Sequence, residues 1–294
     1  MNTGPRDRRR EQRALLAHGT SDHYVDPELY DFEYHERLGD VMWYRGLTRR
    51  TGPVSGGPRS ILELGAGTGR ITIPLLTDGH AVTALDRMRT MLDALERKLA
   101  LESRQDARAR LRLVLADMRA LPLPDSSFEL VIAPFNTLQH LYTADELLRC
   151  FREVARVLVP GGTFAFDVML PDLDWLTWDP TRRHAVTPFV HPRTRARLIY
   201  STNHHYDAHT QVCHIRIYYD DDTPTARARL EHGDAPEPEP RELVHLAHRQ
   251  IFPEELRALL PAAGLTLDRL EGDFRGLRLG EEIESMVAVS HKPR

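Results

Sequence analysis

The sequence predicts an α/β protein built on a doubly wound, mostly parallel sheet. Between residues 60 and 170, short apolar runs typical of buried strands alternate with segments whose apolar residues recur at helical spacing. A glycine-rich turn joins the first apolar run to the segment that follows it. Two later runs end on an aspartate, and the carboxyl edge of an open α/β sheet is where ligands bind. These features together indicate a sheet that binds a polar ligand at one edge.

The glycine turn follows the predicted strand Ser60–Leu64 and has glycine at every second position, in the order Gly65-Ala66-Gly67-Thr68-Gly69. Glycine adopts backbone angles that other residues avoid, and a helix starting there offers free N–H groups to a polar ligand. The dinucleotide fingerprint G-x-G-x-x-G would need a third glycine where this chain has Arg70. Glu63 would suit an ammonium or sulfonium group better than a pyrophosphate.

S-adenosylmethionine carries both of these cations. Residues 63–69 resemble motif I, E/D-x-G-x-G-x-G, of the class I S-adenosylmethionine-dependent methyltransferases, and they match every fixed position. The resemblance covers residues 60–170 and 250–290, and the arrangement is similar to sugar amino N-methyltransferases and glycine N-methyltransferase-like enzymes. It implies a Rossmann-like methyltransferase sheet, S-adenosyl-L-methionine as cofactor, and a small-molecule methyl acceptor.

Acidic residues at strand ends are the next candidates for the cofactor site. Asp86 follows Gly67 by about 20 residues, which is the spacing expected of a group that accepts ribose hydroxyls. It would also cap the next helix. The resemblance implies that Asp117 accepts from the adenine amino group and that Met118 packs on the ring. The expected cofactor-binding residues are Tyr30, Tyr34, Glu63, Gly65, Ala66, Gly67, Gly69, Asp86, Arg87, Met88, Asp117, Met118, Pro134, Phe135 and Asn136.

The loop after the fourth strand, residues 134–140, is expected to form the floor where cofactor and acceptor meet. It lacks the paired-proline motif D/N-P-P-Y/F of enzymes that methylate amino groups of nucleic acids. A histidine side chain needs no large shift of its ordinary pKa to exchange protons near neutral pH, so His140 is the first candidate for a general base. Other candidates are His204, His214, His248 and Tyr142. Alternatively, His140 only shapes the pocket or contacts the cofactor. The alternative for Tyr30 and Tyr34 is that they pack on the core instead of facing a ligand.

The regular alternation stops after residue 170, which divides the chain into four predicted parts. Residues 1–54 form an N-terminal helical segment or lid, with a loosely docked tail over residues 1–22 and one helix over residues 29–47. Residues 55–170 form the cofactor-binding core. Residues 171–250 form an inserted antiparallel β cap across the cofactor site, with a hairpin of residues 195–206 and 211–219 and a solvated loop over residues 220–240. Residues 251–294 complete the core sheet.

Composition restricts the partners. The chain of 294 residues has 39 Lys and Arg against 43 Asp and Glu, a net charge of −4, so no basic field attracts a polyanion. Its two cysteines cannot build a disulfide framework, and no apolar N-terminal segment of signal or membrane length is present. We therefore expect a cytoplasmic protein with no nucleic-acid or membrane partner. The oligomeric state stays open, with a homodimer among the alternatives.

The leading hypothesis is an S-adenosylmethionine-dependent methyltransferase of a small molecule, with a role in specialised metabolism. Whether oxygen, nitrogen or carbon is methylated stays open. The alternatives are a non-catalytic S-adenosylmethionine-binding protein of regulation or assembly, and a nicotinamide-dependent oxidoreductase. The histidines of residues 204–248 show no compact ligand spacing, so no metal site is expected.

Overall fold

The computed structural model describes residues 5–50, 58–100, 105–232, 240–280 and 283–294. The chain divides into two compact units. The parallel unit comprises His35–Pro171 and Gln250–Arg294, and the antiparallel unit comprises Met1–Tyr34 and Asp172–Arg249. The predicted boundary between residues 54 and 55 lies outside the described residues.

Strands and helices are numbered in chain order. The strands are β1 Ser60–Leu64, β2 Ala81–Asp86, β3 Leu111–Leu115, β4 Phe128–Ala133, β5 Leu158–Met169, β6 His184–Val190, β7 Arg197–Asp207, β8 Val212–Asp221, β9 Glu242–Arg249, β10 Thr266–Glu271 and β11 Ser285–His291. The helices are α1 Pro5–Ser21, α2 Pro27–Tyr34, α3 Gly39–Arg50, α4 Thr72–Thr77, α5 Arg89–Leu99, α6 Gln105–Ala109, α7 Ala144–Val157, α8 Leu173–Leu176, α9 Pro224–His232 and α10 Pro253–Ala262. The longest described helix, α1, has 17 residues, and no helix of the described segments is long and apolar enough to cross a membrane.

The parallel unit contains a sheet of seven strands in the order β10-β11-β5-β4-β1-β2-β3. Strands β1 to β5 pair in parallel, whereas β11 pairs antiparallel with both β5 and β10. The strand order reverses between β1 and β4, so the ends of these two strands form the switch point where open α/β sheets bind ligands. The predicted fold class is confirmed.

Alternation along the strands supplies both faces of this sheet with apolar side chains. In β1, Leu62 and Leu64 pack with the cluster that includes α7 and α10, while Ile61 packs on the opposite face with α3, α4 and α5. Because both faces of the sheet are covered, the central strands consist of nearly continuous apolar residues. Glu63, in the middle of such a run, is therefore a buried carboxyl group that needs a specific explanation.

The antiparallel unit contains a sheet of four strands in the order β6-β7-β8-β9. The predicted hairpin is β7 and β8, which pair in register from Leu198 with Asp221 to Asp207 with Val212. Helix α1 packs along β9, where a side chain on Gly19 would collide with Ala247. This close approach turns the predicted tail into a docked helix, so the expectation for residues 5–22 was wrong.

Two further local predictions differ from the structure. The helix expected over residues 29–47 is divided into α2 and α3, with a turn between Tyr34 and Gly39 where the chain passes from one unit to the other. Strand β6 was not predicted, because its residues are mostly exposed and carry Ala185 at positive φ and Pro188, which weaken a strand pattern. In the predicted solvated loop, residues 224–232 form α9, while residues 233–239 lie outside the described residues.

Candidate functional site

The three glycines between β1 and α4 all have positive φ, but their surroundings differ. A Cβ atom on Gly65 would lie 2.6 Å from the Thr137 side chain, and one on Gly69 would overlap Leu95 of α5. A Cβ atom on Gly67 would meet no atom of the described residues within 4 Å. Gly65 and Gly69 therefore permit close packing inside the protein, whereas Gly67 leaves its space open for a ligand.

Asp86 is the last residue of β2, and its side chain links the glycine turn to this edge of the sheet by hydrogen bonds. Its Oδ2 accepts from the Gly67 N–H at 2.8 Å and its Oδ1 accepts from the Met88 N–H at 2.8 Å. Burial raises the pKa of this carboxyl, and the two backbone donors act in the opposite direction. A carboxylate has about four acceptor positions, so Asp86 can hold this turn and still accept from two hydroxyls. The predicted cap role was wrong, because the N-cap of α5 is Met88 and no side chain caps it, while the ribose role of Asp86 stays a prediction.

Glu63 is 2 % exposed and lies beneath the same turn. Its Oε2 accepts from the Thr72 hydroxyl at 2.5 Å. Burial raises the pKa of Glu63 to about 8, while Arg70 nearby lowers it and Asp86 and Asp40 raise it further. A nearby cation favours the charged form of a carboxyl group, so Glu63 would lose its proton and become a carboxylate when an ammonium group binds beside it. This is the chemistry expected of an ammonium-binding group.

The loop after β4 contains two successive non-glycine residues at positive φ, Phe135 at 55° and Asn136 at 60°. Asparagine tolerates this conformation, but phenylalanine rarely adopts it, and such residues cost on the order of 1–3 kcal/mol each. The Phe135 N–H donates to both carboxylate oxygens of Asp167, at 2.9 and 3.0 Å. The Tyr44 hydroxyl donates to the same carboxylate at 2.7 Å. Sequence reasoning missed Asp167, although it is a strand-end aspartate like Asp86.

Charged side chains hold the ring of Phe135. The guanidinium groups of Arg37 and Arg70 lie 4.9 and 4.8 Å from the ring centroid. Arg70 also donates to both carboxylate oxygens of the buried Asp40, at 2.7 and 2.5 Å. The residue that replaces the third dinucleotide glycine is therefore part of a fixed ion pair. Sequence reasoning noted Arg70 only as a departure from that fingerprint.

Asp117, the expected adenine contact, is engaged by a neighbouring side chain. Arg119 donates to its carboxylate from Nε and from a terminal nitrogen at 2.6 Å, and also pairs with Glu146. Arg119 holds the pKa of Asp117 below its usual value. Met118 is half-buried and packs against the core cluster on the α7 side of the sheet. Asp117 remains 40 % exposed, so it keeps access to solvent beside Arg119.

Two candidate bases belong to the parallel unit. His140 is half-buried and ends the 3₁₀ turn Thr137–His140, which begins directly after Asn136. Tyr142 is half-buried, and its backbone N–H donates to Glu146 Oε2 at 2.8 Å. Both follow Phe135 and Asn136 in the chain, while the buried Pro134 precedes these two residues directly after β4. His140 thus ends the predicted loop, whereas Tyr142, which was grouped with the cap histidines, lies just after that loop in the parallel unit.

The other three candidate bases belong to the antiparallel unit and do not share one face of its sheet. The register pairs His204 with Ile215 and His248 with Cys213, so these two histidines lie on the same face. His214 lies between Cys213 and Ile215 in β8 and points to the opposite face. The set of three therefore cannot act together at one point on the sheet.

Burial makes these histidines weak bases. His204 is stacked on Trp175 with ring centroids 3.9 Å apart, and its Nε2 lies 2.7 Å from the Trp175 carbonyl oxygen. Burial lowers the pKa of His204, and it lowers the pKa of His214 as well. Burial lowers the pKa of His248 to about 4. An imidazole with so low a pKa is neutral at pH 7 and holds an accepted proton weakly.

Tyr30 and Tyr34 also belong to the antiparallel unit. Their rings lie 4.8 Å apart, and His23 contacts both, with its Nε2 3.0 Å from the Tyr34 hydroxyl. The expected cofactor role of these tyrosines stays a prediction. Among the residues that the structure describes, no group of three or more His, Cys, Asp or Glu side chains is placed to hold a metal ion.

Comparison with known proteins identifies the segment that contains the glycine turn and the strands around it. Residues 61–162 match the family described as "Methyltransferase domain". Malonyl-(acyl-carrier protein) O-methyltransferase of Halorhodospira halophila is 40% identical over 128 residues, which cover 43% of this chain and 40% of the relative. Like the matches to other curated relatives, this one spans less than half of the relative's length.

Solved structures share the fold over most of the chain. The CcbJ methyltransferase from Streptomyces caelestis has a TM-score of 0.65 and 23% identity, over 87% of this chain and 94% of that one. CalS10 from Micromonospora echinaspora, an amino pentose methyltransferase solved with S-adenosylmethionine, has a TM-score of 0.59 and 17% identity, over 88% and 95%. The family match over the glycine turn and this shared fold agree with the motif I resemblance. Residues 61–162 are thus a methyltransferase domain, similar to those of the class I S-adenosylmethionine-dependent methyltransferases.

Proposed function

We propose that this chain binds S-adenosyl-L-methionine and transfers its methyl group to a small-molecule acceptor. The observation that carries the proposal is the arrangement of Glu63, the open side of Gly67 and Asp86 around one turn. It combines a buried carboxyl group suited to a cation, a backbone surface without side chains, and a carboxylate with spare acceptor capacity. These groups suit, in turn, the ammonium group, the sulfonium-bearing chain and the ribose of S-adenosylmethionine.

Each part of the cofactor has a candidate partner in the parallel unit. Glu63 would pair with the ammonium group, and Asp86 would accept from the ribose hydroxyls. Asp117 would accept from the adenine amino group, with Arg119 holding the carboxylate in place. Arg87 and Met88 follow Asp86, and Met118 follows Asp117, so these side chains would border the nucleoside. The bound cofactor supplies an electrophilic methyl group on a sulfonium.

The chain itself contributes mainly orientation. Methyl transfer is an in-line displacement, so its rate depends on holding the acceptor atom near contact distance in a water-poor site. The loop of Pro134–His140 is suited to this task because its backbone is fixed by Asp167 and its Thr137 packs on Gly65. His140, at the end of the same loop, would accept the proton that the acceptor atom loses when it is methylated. Tyr142 is the second candidate in this unit.

An amine of a small molecule is the acceptor that we favour. CalS10, whose fold extends over most of both chains, is described as an amino pentose methyltransferase. An oxygen acceptor is the second candidate, supported by the O-methyltransferase relative, whose match covers 43% of this chain. The antiparallel unit, all of which lies outside residues 61–162, is the part that we propose selects the acceptor. A role in specialised metabolism is consistent with an amino sugar acceptor.

The alternatives make different predictions about the same site. A nicotinamide-dependent oxidoreductase would need close approach of a pyrophosphate at residue 70, where Arg70 is instead paired with Asp40. A non-catalytic cofactor-binding protein would use Glu63 and Asp86 but would not need the strained loop before His140. That loop supports the enzyme over the binding protein.

Titration calorimetry of the purified chain with S-adenosylmethionine, S-adenosylhomocysteine and NAD tests the cofactor. We expect binding of the first two in the micromolar range and none of NAD. Transfer from S-adenosylmethionine with a labelled methyl group to a panel of amino sugars, hydroxylated sugars and phenols, with products identified by mass spectrometry, tests the acceptor. Preferential binding of NAD would refute the cofactor proposal. Tight cofactor binding without transfer to any member of a broad panel would favour the non-catalytic alternative.

A further inference from the structure

Asp167 has contacts that its place in the sheet alone does not explain. It lies near the carboxyl end of β5, opposite Val287 of β11, and is 4 % exposed. Burial raises its pKa to about 6, and the bonds from Tyr44 and Phe135 act against this rise. A carboxyl group at this depth is costly unless donors surround it. Two of the donors that surround it, the N–H of Phe135 and the Tyr44 hydroxyl, come from outside the sheet.

The first of these elements is the strained loop. The side chain of Asp167 accepts the Phe135 N–H, and its backbone carbonyl accepts the Asn136 N–H at 3.2 Å. Both peptide N–H groups of the left-handed pair therefore end on one residue. Because phenylalanine does not favour positive φ, this conformation persists only where the surroundings impose it. Asp167 is the residue that accepts both N–H groups.

A residue close to Asp167 along β5 also restrains the end of the loop. The Met169 N–H, two residues further along β5, donates to the Gln139 side chain at 3.2 Å. The end of β5 thus holds the loop at its start and near its end. Between these points Thr137 bonds the Pro134 carbonyl at 2.7 Å and packs against Gly65. A shift of the peptide before Phe135 would move Thr137 away from the glycine turn.

The second element is α3, which holds the same loop from another direction. Tyr44 of α3 donates to Asp167, and Asp40 of α3 fixes Arg70, whose guanidinium lies over the Phe135 ring. The backbone and the ring of Phe135 are therefore both constrained by residues outside the loop. The peptide before Phe135 is therefore held both by hydrogen bonds to Asp167 and by the contacts of the Phe135 ring.

We propose that Asp167 is a positioning residue that holds residues 134–140 in the form that packs against the glycine turn. It thereby keeps the cofactor-binding surface and the reaction loop in register. The inference deepens the proposed function and rests on it for the meaning of the loop. The geometric part can be tested without any cofactor.

Hydrogen exchange resolved to single residues, on the full chain without cofactor, tests the geometric part. In Asp167→Ala the Phe135 N–H loses its acceptor, so we expect its exchange to accelerate on the order of a hundredfold. Exchange in the centres of β1 and β4 should stay unchanged. Asp167→Asn retains one oxygen that can accept the N–H, so it should restore most of the protection. Wild-type protection of Phe135 in a folded Asp167→Ala variant would overturn the proposal.

Affinity for S-adenosylhomocysteine tests the functional part. We expect Asp167→Ala to weaken binding about tenfold, Asp167→Asn to lie between it and the wild type, and Tyr44→Phe to have a smaller effect because the Phe135 bonds remain. The matched control is Ser290→Ala, which removes a buried hydrogen bond to Phe164 in the same sheet without touching the loop.

The outcomes separate this proposal from the proposed function. If the wild type does not bind S-adenosylhomocysteine, the proposed function fails, while the exchange experiment still decides the role of Asp167. If Ser290→Ala weakens binding as much as Asp167→Ala at equal loss of thermal stability, Asp167 is only a structural residue. If Asp167→Ala does not fold, Asp167→Leu, which has a similar shape and no acceptor for the Phe135 N–H, carries both tests, and unchanged exchange and affinity in it would overturn the proposal.

Discussion

The parallel unit buries carboxyl groups at its candidate site, whereas the antiparallel unit buries histidines. Glu63 and Asp167 have pKa values raised to about 8 and about 6. His23 and His248 have pKa values lowered to about 4. Burial favours the neutral form in all four cases, so the acids hold their protons more tightly and the imidazoles less tightly. Glu33, raised to about 7, is an exception within the antiparallel unit.

This difference shows where a ligand's charge can be accommodated. The buried acids of the parallel unit are surrounded by backbone and hydroxyl donors, so a cation brought to Glu63 completes an arrangement that already exists. The buried imidazoles of the antiparallel unit gain nothing from a cation and are neutral at pH 7. We therefore expect cofactor binding and proton transfer in the parallel unit, and the following variants test that division in order of expected effect.

The largest effect is expected at the proposed base. Once an acceptor is known, His140→Asn should lower kcat on the order of a hundredfold while leaving cofactor affinity nearly unchanged. The reason is that asparagine keeps a similar shape but cannot take a proton. His204→Asn in the antiparallel unit is the comparison variant. If turnover falls with His204→Asn and not with His140→Asn, the division between the units is wrong.

The pH dependence of stability should differ between the two units. For Glu63 the folded pKa of about 8 exceeds the usual 4.5, so its contribution to stability is complete below pH 4.5 and is lost as pH rises towards 8. Glu63→Gln should therefore gain stability relative to the wild type over this range, by on the order of 1 kcal/mol per pH unit. Urea unfolding of both proteins at several pH values measures this difference, and a constant difference would contradict it.

For His248 the sign is opposite. Its folded pKa of about 4 lies below the usual 6.5, so the unfolded chain binds the proton more tightly and stability is lost as pH falls from 6.5 to 4. His248→Gln should remove this loss, again on the order of 1 kcal/mol per pH unit. Its acid unfolding should be compared with that of His209→Gln, an exposed histidine of the same unit. Equal acid sensitivity of the two variants would argue against a buried neutral imidazole.

Asp86 tests cofactor binding directly. Asp86→Asn should weaken S-adenosylmethionine binding at least about tenfold, or about 1.4 kcal/mol, through loss of charge-assisted bonds to the ribose. Asparagine retains one acceptor for the turn, so the fold should survive. Asp125→Asn is the control, because Asp125 lies in the same unit and its side chain is 73% exposed. Calorimetry in two buffers of different ionisation enthalpy adds a second readout, since pairing of Glu63 with an ammonium at pH 7 should release about one proton.

The smallest effect is expected in the antiparallel unit. Replacing residues 224–239 between β8 and β9 by a short Gly-Ser linker should leave cofactor affinity within about twofold of the wild type, because the cofactor partners proposed in the parallel unit are untouched. A folded variant that no longer binds cofactor would show that the antiparallel unit contributes to cofactor binding, in line with the predicted role of Tyr30 and Tyr34.

The amino-acid sequence by itself determined the features that depend on short-range pattern. The order of strands and helices from residue 60 to residue 170 follows from apolar periodicity, and the glycine turn follows from three glycines that all adopt positive φ. The position of Asp86 at the end of β2 also follows from spacing. The first two features depend on residues a few positions apart in the chain, and the third depends on a spacing of 19 residues within one strand–helix–strand segment.

The tertiary structure alone decided the features that join distant residues. Asp167 and Phe135 are 32 positions apart, and neither carries a local signal that they will share a hydrogen bond. The opposite faces of His204 and His214 were settled by strand register. Likewise, α1 is docked because Gly19 meets Ala247, more than two hundred residues later. Periodicity shows which face of an element is buried, but only packing determines which groups meet there.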